Sequence, residues 1–329
     1  MIKKGGDAMR KNEVLRLLRG GEYISGEKLG KALGISRVAV CKIIAALRDD
    51  GFLIDAVPNR GYCLLRQELS QERLASLLPG NSWSFQVLRE TDSTNNALKR
   101  MCDAAHGTVI LTRKQTGGRG RLGRVFVSPP GGVYLSVLLR PNASAEELLH
   151  LTPMTAVAVR RAIFDCCGIY ADIKWTNDLV YRGKKLCGIL TELTTEAGSG
   201  ALQSVIVGIG VNCNTALDEL PKEVRAMATS LQEIVGRSID PNELAAAMIV
   251  RLQEMDAALL TQKEEWMREY QAACITVGKE VQIIRGTERT DAFAEGIDQN
   301  GGLIVRYQTG ERAVISTGEV SVRGMYGYL

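Results

Sequence analysis

The stretch QTGGRGRLGR, residues 115–124, places three arginines among four glycines directly after the β-prone run TVILT. Glycines let main-chain N–H groups approach a phosphate, and arginine engages carboxylates and phosphates in bidentate fashion. Gly118 and Gly123 have the spacing of a Walker phosphate loop, but the required Lys and Ser or Thr do not follow. The stretch predicts a loop that holds one small anion against a second anion. A disordered basic turn of the RGG type is the alternative.

Length and composition indicate a multidomain α+β protein. A chain of 329 residues with 45% hydrophobic content has room for about two domains with substantial cores. No run approaches the roughly 18 apolar residues of a membrane span, and the N-terminus lacks a signal peptide, so we expect a cytoplasmic protein with no membrane partner. The eight cysteines form no CxxC pair and only two histidines accompany them, which predicts no metal site built by a protein cluster.

Residues 1–66 are predicted to form a winged helix-turn-helix domain, with the helix-turn-helix at about 26–45. Ser25 and Ser36 are N-cap candidates for two helices, and two β-prone runs, FLIDAV and GYCLL, flank a turn and form the wing. This segment carries 13 basic and seven acidic residues, a formal surplus of +6, whereas the rest of the chain has 28 and 30. The surplus and the wing favour DNA over a three-helix protein-interaction module. The candidate DNA-binding residues are Ser36, Arg37, Lys42, Arg48 and Arg60.

The remaining chain is predicted to contain a linker and two further domains. Residues 67–82 are polar and form the linker, and residues 83–273 mix β-prone runs with two long helices, at 145–167 and 242–273. Residues 274–329 contain short strands separated by glycine turns, among them an Asn-Gly pair. This last pattern predicts a small antiparallel barrel.

Three polar motifs accompany the glycine-arginine loop. TDSTNNALKR places Ser93 and Thr94 at a helix start, KWTNDL places Asn177 and Asp178 at a strand end, and RGKKLCGIL places Lys185 at the mouth of a buried strand. Taken singly, these residues also fit a helix cap, a turn and a surface lysine. VGIGVNCN fails as a dinucleotide fingerprint because a cysteine stands where the third glycine belongs.

Taken in order, TDSTNNAL, QTGGRGRLGR, KWTNDL, RGKKLCGIL and VGIGVNCN resemble the bacterial biotin protein ligases, specifically the bifunctional class that also represses the biotin biosynthesis operon. The resemblance covers nearly the whole chain. It implies a winged helix-turn-helix, a central α/β ligase domain with a mixed sheet similar to class II synthetases, and a C-terminal SH3-like barrel. Thr176 stands where the family usually carries Pro.

The resemblance also implies the reaction and the partners. Biotin and ATP with Mg²⁺ would form biotinyl-5′-AMP, and biotin would pass to a lysine of a biotin carboxyl carrier protein. The same adenylate would act as corepressor for a homodimer on operator DNA. Two alternatives stay open: a lipoate or octanoate protein ligase, and a DNA-binding regulator that senses a small molecule without ligase activity.

The family's site residues are carried over by motif. Lys185, Arg119 and Arg121 would be catalytic. Biotin would contact Ser93, Thr94, Asn95, Gln115, Arg119, Gly120, Arg121 and Lys185. ATP would contact Arg121, Phe126, Asn177, Asp178, Asn212, Glu319 and Arg323, with Mg²⁺ near Asp178.

Overall fold

The computed structural model describes residues 3–18, 22–49, 52–101, 103–195, 202–316 and 320–324. The chain forms two compact units. The first contains residues 1–79 with 240–242, and the second contains residues 80–239 with 243–329. No helix in these described ranges is both long and apolar enough to cross a bilayer.

The first unit is a helix-turn-helix followed by a β-hairpin. Ser25 Oγ accepts a hydrogen bond from the Lys28 N–H, and Ser36 Oγ accepts one from the Ala39 N–H, so both predicted N-caps are confirmed. Gly34 adopts the left-handed conformation, at φ 63°, that ends the first helix of the motif. The elements are α1 (Lys3–Leu18), α2 (Gly26–Leu33), α3 (Arg37–Asp49), β1 (Phe52–Val57), β2 (Gly61–Gln67) and α4 (Gln71–Leu77).

The core of this unit lies under α3. The predicted inner face of that helix is buried and packs with residues of α1 and of the hairpin. Strands β1 and β2 pair antiparallel with Val57 opposite Gly61, which confirms the wing. The buried residues of the α3 face are Val40, Ile43, Ile44 and Leu47.

The second unit is built on a seven-stranded mixed sheet in the order β3-β4-β5-β9-β8-β7-β6. Only β3 and β4 pair in parallel, and the other neighbours are antiparallel. Strands β4 and β5 are buried along their whole length, as expected for the centre of a sheet covered on both faces. The strands are β3 (Ser84–Leu88), β4 (Thr108–Thr112), β5 (Val133–Leu139), β6 (Asp172–Lys174), β7 (Asp178–Tyr181), β8 (Lys184–Thr195) and β9 (Leu202–Val211).

The helices of this unit correct two predictions. The helix predicted at 145–167 begins at Leu151, after a 3₁₀ turn at 146–148. The single helix predicted at 242–273 is two helices, because the chain turns at the buried Leu259, whose carbonyl accepts a hydrogen bond from His150 Nε2 at 2.8 Å. The helices are α5 (Thr94–Lys99), α6 (Leu151–Cys167), α7 (Lys222–Arg225), α8 (Leu231–Val235), α9 (Pro241–Ala258) and α10 (Lys263–Ala273).

The C-terminal segment forms a five-stranded antiparallel sheet in the order β13-β12-β11-β10-β14. The predicted turn glycines Gly286, Gly301 and Gly310 all have positive φ, at 60°, 87° and 88°, which confirms the hairpin signals. The last strand was not predicted. The strands are β10 (Glu280–Arg285), β11 (Glu288–Ile297), β12 (Leu303–Tyr307), β13 (Arg312–Ile315) and β14 (Val320–Gly324).

Candidate active site

A cavity of about 690 Å³ lies against the mixed sheet, under the glycine-arginine loop. It gathers the motifs that the sequence had singled out from four separate parts of the chain. The predicted site residues that line it are Ser93, Thr94, Asn95, Gln115, Arg119, Gly120, Arg121, Phe126, Asn177, Asp178, Lys185 and Asn212. Glu319 lies outside the described residues, and Arg323 is described only as backbone of β14.

One side of the cavity is a polar floor at the start of α5. Gln115 Oε1 accepts a hydrogen bond from the Thr94 N–H at 2.9 Å, and Gln115 Nε2 donates to Ser128 Oγ at 2.9 Å. The hydroxyl of Ser93, the N-cap residue, makes no capping hydrogen bond. Ser93 therefore occupies the N-cap position without a side-chain capping bond, and it is a buried residue that lines the cavity.

Two residues behind this floor were missed by the sequence reasoning. Ser136 Oγ donates to Asn95 Oδ1 at 2.5 Å, and Asn95 Nδ2 donates to Glu192 Oε2 at 2.7 Å. Burial raises the pKa of Glu192, but the hydrogen bonds from Lys99 and Asn95 outweigh it and hold that pKa below its usual value. The available signal was Ser136 itself, a polar residue inside the apolar run VYLSVLL.

The glycine-arginine loop is held by its own backbone. The Phe126 N–H donates to the Gly118 carbonyl at 2.9 Å, and the Gly120 N–H donates to the Arg124 carbonyl at 2.7 Å. A Cβ atom on Gly118 would lie 2.3 Å from the Phe126 carbonyl oxygen, so only glycine fits where these two backbone segments meet. These contacts contradict the alternative of a disordered basic turn.

The charged groups of the cavity stand near one another. Arg121 Nη1 donates to Asn177 Oδ1 at 3.4 Å, and burial lowers the pKa of the Arg121 guanidinium. Lys185 Nζ lies 2.7 Å from Asp178 Oδ1. Arg119 is exposed at the rim. Arginine and lysine therefore face the same space, where they can neutralise a carboxylate and a phosphate at once.

Phe126 lies over two glycines of the sheet. A Cβ atom on Gly210 would come within 2.4 Å of its ring, and one on Gly188 within 3.0 Å. Lys185 Nζ is 5.7 Å from the ring centroid. The ring therefore forms an aromatic surface beside the Lys185 ammonium, on which a flat ligand group can stack.

The asparagines of the predicted nucleotide side also organise the backbone. Asn177 Nδ2 donates to the Ile189 carbonyl at 2.7 Å, and Asn212 Nδ2 donates to the Thr229 carbonyl at 3.0 Å. The second bond holds a segment whose apolar side chains close one side of the cavity. This apolar wall was not predicted, and its members are Leu220, Val224, Met227 and Ala228.

The turn of the KWTNDL motif is fixed from the C-terminal side. The Trp175 N–H donates to Thr276 Oγ1 at 3.0 Å, and Trp175 Nε1 donates to the Gly301 carbonyl at 2.9 Å. Tyr270 OH donates to the Thr176 carbonyl at 3.0 Å, and burial raises the pKa of Tyr270 well above its usual value. The Trp175–Thr176 peptide bond is cis.

The described residues contain no group of three or more His, Cys, Asp and Glu side chains arranged to hold a metal ion. The described cysteines are free thiols. Within the cavity, Asp178 supplies a carboxylate, and that carboxylate is already in contact with Lys185.

The candidate DNA-binding residues differ in what they contact. Arg37 and Lys42 are exposed on α3, while Ser36 Oγ caps that helix. The Arg48 guanidinium donates to the Ile54 carbonyl of β1, from Nε at 3.0 Å and from Nη2 at 2.6 Å, so this side chain ties the wing to α3. The Arg60 guanidinium carbon lies 4.2 Å from the centroid of the Tyr23 ring.

Comparison with known families gives a consistent assignment for each part of the chain. The model of the biotin/lipoate A/B protein ligase family matches residues 86–212. A helix-turn-helix domain matches residues 10–63, and the biotin protein ligase C-terminal domain matches residues 276–323.

Individual relatives match over almost their whole length. The bifunctional ligase/repressor BirA of Bacillus spizizenii is 36% identical over 310 residues, which cover 90% of this chain and 93% of the relative. The protein of the same name from Escherichia coli is 32% identical over 94% of this chain and 96% of the relative. Among solved structures, a biotin protein ligase from Aquifex aeolicus in complex with biotin and ATP has 30% identity and a TM-score of 0.64. It covers 73% of this chain and 99% of its own.

Proposed function

The chain belongs to the biotin protein ligase family, in its bifunctional ligase/repressor class, and on this basis we propose a biotin protein ligase that also represses transcription. The enzyme forms biotinyl-5′-AMP from biotin and ATP, and transfers biotin to a lysine of a biotin carboxyl carrier protein. Biotinyl-5′-AMP is also the corepressor for the biotin biosynthesis genes. The observation that carries the proposal is the single cavity that joins a polar floor to the glycine-arginine loop and Lys185.

Biotin is proposed to lie along the floor, with its ureido ring against Ser93, Thr94, Asn95 and Gln115. Such a ring needs donors and acceptors within an otherwise apolar pocket, and the described cavity offers both. The biotin carboxylate then reaches the cationic side, which consists of Arg119, Gly120, Arg121 and Lys185.

ATP is proposed to lie beyond the carboxylate, with adenine beside Phe126. Asn177, Asp178 and Asn212 line this side of the cavity. We extend the nucleotide site to Glu319 and Arg323 by resemblance to the family. Mg²⁺ enters as part of the MgATP substrate, and because the described residues hold no carboxylate cluster, the phosphates supply most of its ligands.

The first step joins two anions and needs no protein nucleophile. The biotin carboxylate attacks the α-phosphorus, the bond to pyrophosphate breaks, and a mixed anhydride forms. Lys185 and Arg121 neutralise the charge that develops on the phosphoryl oxygens, which is the usual contribution of fixed cations to phosphoryl transfer. Asp178 holds Lys185 Nζ at 2.7 Å and so positions it at the cavity.

The second step is an acyl transfer to the carrier. The neutral ε-amine of the carrier lysine attacks the carbonyl carbon of the anhydride, and AMP leaves with the electron pair of the broken bond. The nitrogen loses one proton to solvent, and an amide forms. The glycine-arginine loop over the anhydride excludes water, which would otherwise hydrolyse it.

For the repressor role we propose a cytoplasmic homodimer that the adenylate promotes. A single winged helix binds DNA weakly at physiological salt, so two of them on a two-fold operator give useful affinity. Arg37, Lys42 and Arg60 are assigned to the DNA, Arg48 holds the wing, and Ser36 starts the recognition helix. We also assign the C-terminal sheet to an SH3-like barrel.

Intact-mass analysis tests the ligase function. A biotin carboxyl carrier fragment incubated with the protein, ATP and biotin should gain the mass of one biotinyl group. A gain with lipoate or octanoate in place of biotin would support the alternative ligase, and no gain with any acid would support the regulator without ligase activity.

A gel-shift titration tests the repressor function. The operator upstream of the host's biotin biosynthesis genes should bind more tightly in the presence of biotin and ATP than without them, at fixed salt. Identical affinity in both conditions contradicts the corepressor role, because a ligand shifts an equilibrium only by its differential affinity for the two states.

A further inference from the structure

Glu192 lies behind the polar floor, between Lys99 and Asn95. Its Oε1 is 2.7 Å from Lys99 Nζ, and its Oε2 accepts a hydrogen bond from Asn95 Nδ2 at 2.7 Å. Asn95 is 5% exposed and lines the cavity, whereas Lys99 and Glu192 are not among the residues that line it. The carboxylate therefore reaches the cavity only through the amide of Asn95.

The chemistry of these groups fixes which way the amide faces. An ionised carboxylate only accepts hydrogen bonds, so the Asn95 atom beside Glu192 is the nitrogen. The oxygen then faces Ser136 Oγ, which donates to it at 2.5 Å. Nδ2 carries two hydrogens, of which Glu192 takes one.

The neighbouring glycine leaves no other place for the amide. A Cβ atom on Gly208 would lie 2.2 Å from Asn95 Oδ1, so the amide oxygen packs directly against the backbone of β9. Asn95 is thus held from three sides, by Glu192, Ser136 and Gly208. A group so restrained presents a donor at one fixed position.

We infer that Glu192 is a positioning residue that orients the Asn95 amide and thereby selects a ligand ring with a hydrogen-bond acceptor at this position. This inference rests on the proposed function and deepens it. The ureido carbonyl oxygen of biotin is such an acceptor, whereas the dithiolane ring of lipoate has only sulfur atoms, which are weak acceptors. Glu192 touches neither ligand and acts through Asn95.

Glu192→Gln tests the orientation because glutamine has one acceptor where glutamate has two. The Lys99 ammonium only donates, so it takes the glutamine oxygen and turns the glutamine NH₂ group towards Asn95. The Asn95 amide then inverts to present its oxygen to residue 192, and its nitrogen moves towards Ser136. The donor that the ligand needs is displaced to the opposite end of the amide.

The double variant Lys99→Met/Glu192→Gln provides the decisive comparison. Without the ammonium, the glutamine oxygen is available to Asn95, and the original amide orientation returns. The double variant also lacks the charge at residue 192, which is close enough to Arg119 for that arginine to lower the pKa of Glu192. Its behaviour therefore separates orientation from charge.

Biotin affinity of the full-length protein is measured by isothermal titration calorimetry, and turnover is measured at saturating biotin. We expect Glu192→Gln to weaken biotin binding about tenfold or more, because the ligand's acceptor then faces no Asn95 donor, with kcat little changed. Lys99→Met and the double variant should both bind within about threefold of the unsubstituted protein. Ser136→Ala, which removes the hydroxyl shared by the Asn95 amide oxygen and Thr94 Oγ1 without a charge change, should weaken binding several-fold.

Other outcomes overturn the inference. Unaltered affinity in Glu192→Gln shows that the amide needs no positioning. If Glu192→Gln does not fold, unaltered affinity in Ser136→Ala shows the same. A double variant as weak as Glu192→Gln shows that the charge matters and the orientation does not, and a weak Lys99→Met shows that the ion pair itself is required. Failure of the unsubstituted protein to bind biotin is a separate result, which refutes the proposed function.

Discussion

Gly208→Ala provides a direct test of the polar floor. The added methyl group would lie 2.2 Å from Asn95 Oδ1, whereas Cβ atoms essentially never approach another heavy atom within 3.0 Å. Asn95 must therefore move by about 1 Å, which stretches its hydrogen bonds to Ser136 and Glu192, now 2.5 and 2.7 Å, beyond useful length. The fold survives this shift more readily than the site does, because the displaced group lines the cavity.

The expected loss follows from these two hydrogen bonds. One neutral bond and one bond to a charged group together contribute about 2 to 4 kcal/mol. These bonds exist in the free and the bound protein alike, so their loss lowers the free energy of unfolding. Biotin affinity should fall about tenfold or more through the displaced Asn95 donor, as measured by isothermal titration calorimetry. Overpacking adds a destabilisation of about 1 to 3 kcal/mol, visible as a lower Tm.

Gly296→Ala is the matched control, because its Cβ atom would have its nearest neighbour, Ile304 Cδ1, at 3.9 Å. It should bind biotin like the unsubstituted protein. If Gly208→Ala also keeps that affinity, the close packing of Asn95 on β9 does not govern the biotin site and the reasoning fails.

Three further predictions concern separate parts of the chain. Lys185→Ala should slow biotin-dependent ATP–pyrophosphate exchange about 10²-fold or more, a much larger effect than its weakening of biotin binding, because the ammonium is needed most when the phosphorus is pentacoordinate; unchanged exchange would remove Lys185 from the reaction. Tyr270→Phe should raise the KM for ATP with biotin affinity preserved, because the Thr176 carbonyl loses its donor; an unaltered KM would show that the turn does not need it. Lys42→Ala should weaken operator binding and reduce the slope of log K against log salt concentration by about 1, with ligase activity as the internal control. An unaltered slope would place Lys42 away from the phosphates.

Local signals in the sequence were reliable where one residue determines one feature of the backbone. Ser25 and Ser36 cap helices, and Gly34 and Gly301 adopt the positive φ that the turn predictions required. These assignments depend on neighbours within a few residues, so the sequence contains all the information they need. The break between α9 and α10 was not predicted, and there the buried Leu259 carbonyl accepts a hydrogen bond from His150, a residue distant in sequence.

Motif residues of the candidate site were predictable in identity but not in their contacts. Resemblance to the family placed Asn95 and Lys185 in the cavity, yet the partners that hold them, Glu192 and Asp178, are set by sheet register. Register follows from which strands pair, and the order β3-β4-β5-β9-β8-β7-β6 cannot be deduced from periodicity. Arg48 likewise has a contact that its outward helical position did not indicate, because its guanidinium binds the carbonyl of Ile54, and its role in DNA binding stays a prediction.

The turn that carries Asn177 and Asp178 is held by residues of the C-terminal segment, which lie far from the ligase motifs in sequence. It connects β6, a strand of only three residues, to β7, a strand of four, and strands this short hold a turn weakly by themselves. Trp175 compensates by bonding to Thr276 through its N–H and to Gly301 through its indole, and both partners belong to the C-terminal segment. Removal of that segment would take away the hydrogen-bond partner of the buried indole N–H beside the nucleotide side of the cavity. The C-terminal sheet is therefore part of the structural basis of the active site, which explains why residues 80–239 and 243–329 form one compact unit.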